Sequence, residues 1–152
     1  MTADSKTSLQ TRALRYLARR EYSRHELEQK LAAHENSQQQ VSDLLDQLER
    51  DGYLSTERFA EQTARIRRSR LGSQRIVREL KEKGVDEHVI ADILPGLQET
   101  DFETAWRIWQ KKFGAPPADL KARGKQIRFM MSRGFSSDTI NTILSQAGKE
   151  DT

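Results

Sequence analysis

Apolar residues recur three and four positions apart along most of the chain, with polar residues between them. The first run places Leu9, Ala13, Leu14 and Leu17 on one face of a helix. No stretch shows the strict alternation that is typical of a β-strand. The pattern predicts nine helices: 8–20, one that begins at the cap Ser23, one around 41–48, 56–70, 74–83, one between the cap Asp86 and Pro95-Gly96, one from Asp101 to Gly114, 118–133 and 137–147. Residues 1–7 are predicted to be a polar tail and residues 35–40 a loop.

The apolar pattern repeats when the sequence is shifted by 50 residues. The aligned pairs are Val77 and Ile127, Leu80 and Met130, Gly84 and Gly134, Val85 and Phe135, Ile90 and Ile140, Ile93 and Ile143, and Leu94 and Leu144. The first segment aligns more loosely. We therefore predict an all-α fold of three tandem three-helix repeats, over residues 8–53, 54–100 and 101–147, that form an elongated, curved body.

The middle of the chain contains two predicted helix starts and two predicted helix ends. Ser55 and Ser73 are placed as N-caps, and Gly72 and Gly84 as helix ends. Two short amphipathic helices joined by a turn that contains glycine resemble a helix-turn-helix pair. This part of the chain is therefore a candidate for macromolecular recognition.

Positive charge is concentrated in the same helix pair. Residues 65–83 contain eight basic residues and only two acidic ones, Glu79 and Glu82. The net charge of this segment is therefore +6, in a chain whose total is +3. Such a cluster favours polyanion binding; the alternative is a solvated helical face. Arg133 is predicted to extend this basic surface onto the third repeat. The candidate residues for binding nucleic acid or protein are Arg65, Arg67, Arg68, Arg70, Arg75, Arg78, Lys81, Lys83, Lys125 and Arg128.

Residues with catalytic or metal-binding chemistry are few and scattered. The chain has no cysteine, and His25, His34 and His88 stand apart without an H-E-x-x-H motif. The sequence around Lys125 lacks the first glycine and the Ser or Thr of a phosphate-binding loop. We predict no catalytic residue, no metal site, no cofactor and no enzymatic activity.

The aromatic residues and the lengths of the apolar runs bear on core packing and on membrane association. Trp106 and Trp109 share a stripe with Phe102, which predicts core packing over base stacking. No apolar run approaches the roughly 20 residues that cross a bilayer. The first residues also lack the apolar segment of a signal peptide. These observations predict a cytoplasmic protein without a membrane partner.

Four blocks of the sequence resemble the RecX family of RecA regulators. The blocks are D-G-Y-L-S-T-E-R-F-A at 51–60, R-I-V-R-E-L-K-E-K-G-V at 75–85, W-Q-K-K-F-G at 109–114 and K-Q-I-R-F-M-M-S-R-G-F-S at 125–136. They occur in order, and the resemblance extends from about Leu14 to Leu144.

The resemblance implies a negative modulator of RecA that acts in DNA recombination, DNA repair and the SOS response. Such a protein has three tandem three-helix repeats and no catalytic activity. It lies in the groove of the RecA filament on single-stranded DNA and suppresses the recombinase, ATPase and co-protease activities of RecA. The expected partners are the RecA filament and single-stranded DNA, with duplex DNA left open, and the expected state is a monomer.

Two other functions are compatible with the residues. A sequence-specific helix-turn-helix regulator could read base edges with Gln74, Arg75 and Arg78, although the sequence shows no dimerisation element. A protein-interaction adaptor would use its charges only for solvation. A strong preference for one duplex sequence would favour the first alternative, and no affinity for naked DNA at low salt would favour the second.

Overall fold

Eight α-helices account for most of the described part of the chain, which comprises residues 2–32 and 37–150 of this computed structural model, with side chains from residue 8 onward. These ranges contain no strand. The helices are α1 (Thr2–Arg19), α2 (Arg24–Ala32), α3 (Gln38–Arg50), α4 (Thr56–Arg67), α5 (Ser73–Glu82), α6 (Glu87–Lys112), α7 (Leu120–Ser132) and α8 (Ser137–Glu150). The prediction of an all-α fold is confirmed.

Several helix ends differ from the sequence prediction. Helix α1 begins at Thr2, because residues 2–7 contain neither glycine nor proline to interrupt it. The predicted loop over 35–40 is too long, since α3 already begins at Gln38. Ser37 and Gln40 form a reciprocal capping box there, with hydrogen bonds of 3.0 and 3.1 Å between side chain and backbone. His34 and the start of this predicted loop lie outside the described residues.

Helix α6 shows the largest departure from the prediction. It runs without interruption through Pro95 and Gly96, where the sequence predicted an end. A proline inside a helix removes one hydrogen bond and costs about 3 kcal/mol. Burial offsets this cost, because Ile90 before the proline and Leu97 and Trp109 after it are all buried. Two predicted helices therefore become one, so that the described chain has eight helices instead of nine.

The chain divides into two compact units, which are described separately. Unit 1 comprises residues 1–62 and 80–90. The predicted stripe of α1 is confirmed: Leu9 and Ala13 are buried, and Leu14 and Leu17 pack against the same core. The other buried members of this core are Tyr22, Leu27, Leu31, Val41, Leu44, Leu45, Leu48 and Leu54.

Unit 2 comprises residues 63–79 and 91–152, and a second core lies within it. Trp109 is buried there, as predicted, whereas Phe102 of the same predicted stripe is exposed. The Trp109 indole Nε1 donates a 2.8 Å hydrogen bond to the side-chain oxygen of buried Gln126. The Gln126 amide in turn donates to the carbonyl of Ala115 at 3.2 Å. The other buried members of this core are Ala105, Met130, Phe135, Ile140, Ile143, Leu144 and Ala147.

The 50-residue repeat is visible in the local structure of each copy. Burial follows the same order over residues 75–80 and 125–130. Gly84 and Gly134 both adopt a positive φ in the left-handed region, of 76° and 95° respectively. The next residues, Val85 and Phe135, donate to the carbonyls of Leu80 and Met130, five residues back. The predicted tandem repeat thus has the same helix-ending turn in both copies.

Candidate nucleic-acid interface

Among the ten predicted binding residues, Arg67, Arg68 and Lys83 are half-buried and contact side chains of their own unit. In unit 2, Arg67 Nε contacts Glu79 Oε1 at 3.0 Å. Arg68 Nη2 donates to Thr100 Oγ1 at 3.0 Å and to the carbonyl of Gly96 at 3.3 Å. These contacts hold α4, α5 and α6 in place, so that Arg67 and Arg68 have a structural role.

Lys83 is the third engaged residue, and it belongs to a charged cluster in unit 1. Its Nζ lies 3.2 Å from Glu26 Oε2, which Arg20 also contacts at 3.1 Å. Burial, the largest single influence, raises the pKa of Glu26. Hydrogen bonds from Arg20, the Ser23 backbone and Lys83 together outweigh it, so that the pKa lies below its usual value of 4.5. Lys83 therefore helps to keep Glu26 ionised.

The other predicted residues are exposed, and they are divided between the units. Arg75 Nη1 donates a long hydrogen bond of 3.4 Å to the carbonyl of Ser132 at the end of α7. Lys81 lies in unit 1, and the others lie in unit 2. The exposed residues are Arg65, Arg70, Arg75, Arg78, Lys81, Lys125 and Arg128.

Arg70 lines a cleft of unit 2 that was not predicted from the sequence. This basic cleft has a volume of about 470 Å³ and is lined by five basic side chains without any carboxylate. Ser69, Ile108 and Phe129 complete its lining. The basic residues of the cleft are Arg70, Arg107, Lys111, Lys112 and Arg133.

Three elements supply the basic side chains of the cleft. Arg107 and Lys111 lie one turn apart near the end of α6, on the same side of the helix. Arg70 lies in the turn between α4 and α5, and Arg133 ends α7. Arg107 Nη2 donates to the carbonyl of Ser69 at 2.9 Å, which joins α6 to that turn. The cleft is therefore a product of the packing of unit 2.

Phe129 positions two of the cations. Lys112 Nζ and Arg133 Cζ lie 5.2 and 5.1 Å from the centroid of its ring, within cation–π range. The ring is itself held edge to face against Phe113, with centroids 5.5 Å apart. Cations that are already held in place lose less conformational entropy when an anion binds.

Two glycines allow the turn and α7 to approach at backbone distance. Gly72 N donates to the carbonyl of Arg133 at 2.7 Å, and Gln74 N donates to the carbonyl of Gly134 at 3.1 Å. A Cβ on Gly72 would collide with the Gly134 carbonyl, and a Cβ on Gly134 would collide with Arg75. Gly72 is thus more than the predicted helix end, because it brings Arg70 beside Arg133.

The sequence prediction missed Arg107, Lys111 and Lys112 for an identifiable reason. The prediction rested mainly on the dense positive charge of residues 65–83, whereas the cleft combines residues from three separate elements. Two signals in the sequence could have indicated them: the four-residue spacing of Arg107 and Lys111, and the adjacent pair Lys111 and Lys112 in the block W-Q-K-K-F-G.

In the part of the chain that the structure describes, no cluster of three potential metal ligands occurs, and no helix is long and apolar enough to span a membrane.

Comparison with known proteins identifies a family for each third of the chain. Three family models match in order: the first three-helix domain of RecX over residues 11–48, the second over 57–94 and the third over 99–144. The chain is 45% identical over 140 residues to "Regulatory protein RecX" of Ralstonia pickettii, with 92% of this chain and 88% of the relative covered. It is 38% identical to the protein of the same name from Chromobacterium violaceum, with 99% and 97% covered.

Solved structures agree on the fold. A crystal structure of RecX from Lactobacillus salivarius matches with a TM-score of 0.78 and 23% identity, covering 96% of this chain and 98% of that one. A second crystal structure, of regulatory protein RecX, matches with a TM-score of 0.80 and 22% identity, covering 93% and 74%. The three tandem three-helix domains are thus established, and the chain belongs to the RecX family.

Proposed function

We propose that the chain is a negative regulator of RecA, which binds the RecA filament on single-stranded DNA and inhibits its recombinase, ATPase and co-protease activities. The observation that carries this proposal is the match of all three RecX domain models, in order, along one chain. Identities of up to 45% to curated regulatory proteins support it. We further propose a cytoplasmic monomer without enzymatic activity, whose repeats occupy residues 8–53, 54–100 and 101–147.

The exposed basic residues supply the proposed contact with DNA. Arg65, Arg75, Arg78 and Lys81 project from α4 and α5 into solvent. They are proposed to contact phosphates or acidic surfaces of RecA, and phosphate contacts position a protein without reading sequence. Binding should therefore tolerate any DNA sequence. Arg67 is left out of the proposed contact because it already pairs with Glu79.

The direct test of regulation is the single-stranded-DNA-dependent ATP hydrolysis of RecA. The protein is titrated far below the RecA concentration, and we expect strong inhibition, because a bound regulator would block growth of the whole filament beyond it. Absence of inhibition at equal concentrations, with folding confirmed by circular dichroism, would contradict the proposal.

The DNA contact is tested separately by the salt dependence of binding to a labelled oligonucleotide. The double variant Arg65→Ala, Arg75→Ala should bind more weakly, and the slope of log K against log salt should fall by about 0.7 for each lost contact to single strands. Arg67→Ala is the matched control, since it removes a charge that is already paired. Equal slopes for the wild type and the double variant would exclude these two residues from the interface.

A further inference from the structure

We propose that the basic cleft of unit 2 binds successive backbone phosphates of single-stranded DNA. The choice of ligand rests on the proposed function, but four of the five contacting cations, on α6 and at the end of α7, lie outside the segment 65–83. Its central residues are Arg70, Arg107, Lys111, Lys112 and Arg133.

The charge of the cleft calls for a ligand with several negative charges. Five cations line about 470 Å³, and none of the lining residues is acidic. By contrast, Arg20 and Lys83 in unit 1 share the carboxylate of Glu26. Like charges gathered without a counter-charge repel one another, so that binding a polyanion stabilises the arrangement.

The shape of the cleft favours an extended anion over a single small one. Arg107 and Lys111 are four residues apart on α6, which separates them by about 6 Å along the helix axis. Arg70 and Arg133 come from two other elements. Cations distributed in this way can contact neighbouring phosphates of one strand, and the planar guanidinium groups suit bidentate phosphate binding.

The state of Phe129 indicates that the cleft reads the backbone and not the bases. Lys112 and Arg133 lie within cation–π range of the ring, and Phe113 packs against it edge to face. The ring is therefore occupied in holding the cations and is not a platform for base stacking. Binding through the cleft should be independent of sequence and strongly dependent on salt.

The experiment compares two double variants that remove the same charge from unit 2. Lys111→Gln, Lys112→Gln alters the cleft, whereas Lys121→Gln, Arg123→Gln removes two exposed charges of α7 that do not line it. Binding of a labelled oligo-dT is followed by fluorescence anisotropy across a salt series. We expect the cleft variant to bind about tenfold more weakly and its salt slope to fall by roughly 1.4, twice the value for one contact, while the control stays near the wild type.

A rescue variant and a second labelled ligand test the specificity of the result. Lys111→Arg, Lys112→Arg keeps the charges and should retain the wild-type salt slope. Equal losses in the cleft variant and the control would show a general charge effect and overturn the inference, as would unchanged binding by the cleft variant. Loss of binding to a labelled poly-glutamate peptide with unchanged oligo-dT binding would identify an acidic protein as the occupant and would also overturn it.

The two experiments distinguish an error in the cleft inference from an error in the proposed function. If the wild type inhibits RecA and the cleft variant binds oligo-dT normally, the cleft inference is wrong and the proposed function stands. If the wild type binds oligo-dT through the cleft and does not inhibit RecA, the cleft inference stands and the proposed function is wrong.

Discussion

Gly72 and Arg133 are joined by a 2.7 Å hydrogen bond from the backbone N–H of the glycine to the carbonyl oxygen of the arginine. The bond connects the turn before α5 to the end of α7, two segments about sixty residues apart in sequence. It places Arg70 and Arg133 in the same basic cleft. The side chain that is missing at Gly72 is therefore a condition for the cleft.

Substitution of Gly72 should destabilise unit 2. In Gly72→Ala the new Cβ would meet the backbone carbonyl of Gly134, which cannot move away as a flexible side chain could. We expect a loss of about 1–3 kcal/mol in the free energy of unfolding, measured by urea denaturation. Gly96→Ala is the control: nothing lies within 4 Å of its Cβ, and inside α6 it should gain about 0.5–1 kcal/mol. A stable Gly72→Ala variant would contradict the close contact.

The buried pair of Trp109 and Gln126 should be cooperative. Gln126→Leu keeps a similar volume but leaves the indole N–H without its acceptor, at a cost of about 1–3 kcal/mol. Trp109→Phe removes that N–H. In the Trp109→Phe background, the further change Gln126→Leu should therefore cost less than it does in the wild type. A double-mutant cycle in urea measures this difference, and strict additivity would exclude the coupling.

Glu26 should make the stability of unit 1 depend on pH. Its folded pKa is lowered, so its carboxylate stabilises the fold above the unfolded value of 4.5, and this contribution is lost as the pH falls through the lower, folded pKa. Glu26→Gln should therefore destabilise the protein at pH 7, by about 1–2 kcal/mol for a half-buried charged hydrogen-bond acceptor. The difference from the wild type should shrink below pH 4.5. Thermal unfolding at a series of pH values measures it; a constant difference would contradict the lowered pKa.

Asp101 should contribute a pH dependence of stability that is opposite in sign to that of Glu26. Burial raises its pKa above 3.8, more than the hydrogen bonds from the Ser73 hydroxyl and backbone N–H lower it. Its ionisation therefore opposes folding, and stability from this group rises as the pH falls through the folded pKa towards 3.8.

Two variants separate the charge of Asp101 from its hydrogen bonds. Asp101→Ala leaves both Ser73 donors without this acceptor and should destabilise the protein by about 1–2 kcal/mol at pH 7. Asp101→Asn retains one acceptor oxygen without the buried charge and should cost less. Urea denaturation of the two variants at pH 7 compares these effects, and an equal or larger loss for Asp101→Asn would contradict the role of burial.

Local signals were sufficient to predict most of the secondary structure. The predicted cap Ser23 is present and forms a capping box with Glu26, with hydrogen bonds of 3.1 and 3.2 Å between side chain and backbone. Ser55 also caps its helix, accepting from the Arg58 N–H at 3.2 Å. Ser73 does not cap its helix as predicted: it is the first residue of α5, and its hydroxyl donates to Asp101. A local motif is reliable only where no distant partner competes for the same side chain.

The sequence by itself determined the helical class, the tandem repeat and the family, because periodicity, caps and the residue order within each block are properties of neighbouring residues. Tertiary structure decided which cations remain available for binding. Arg67 and Lys83 find carboxylates twelve and fifty-seven positions away, whereas Arg70 meets Arg107 and Arg133 in the basic cleft. Charge counted along a chain cannot predict this division, since electrostatic interaction depends on distance in space, and packing alone sets that distance.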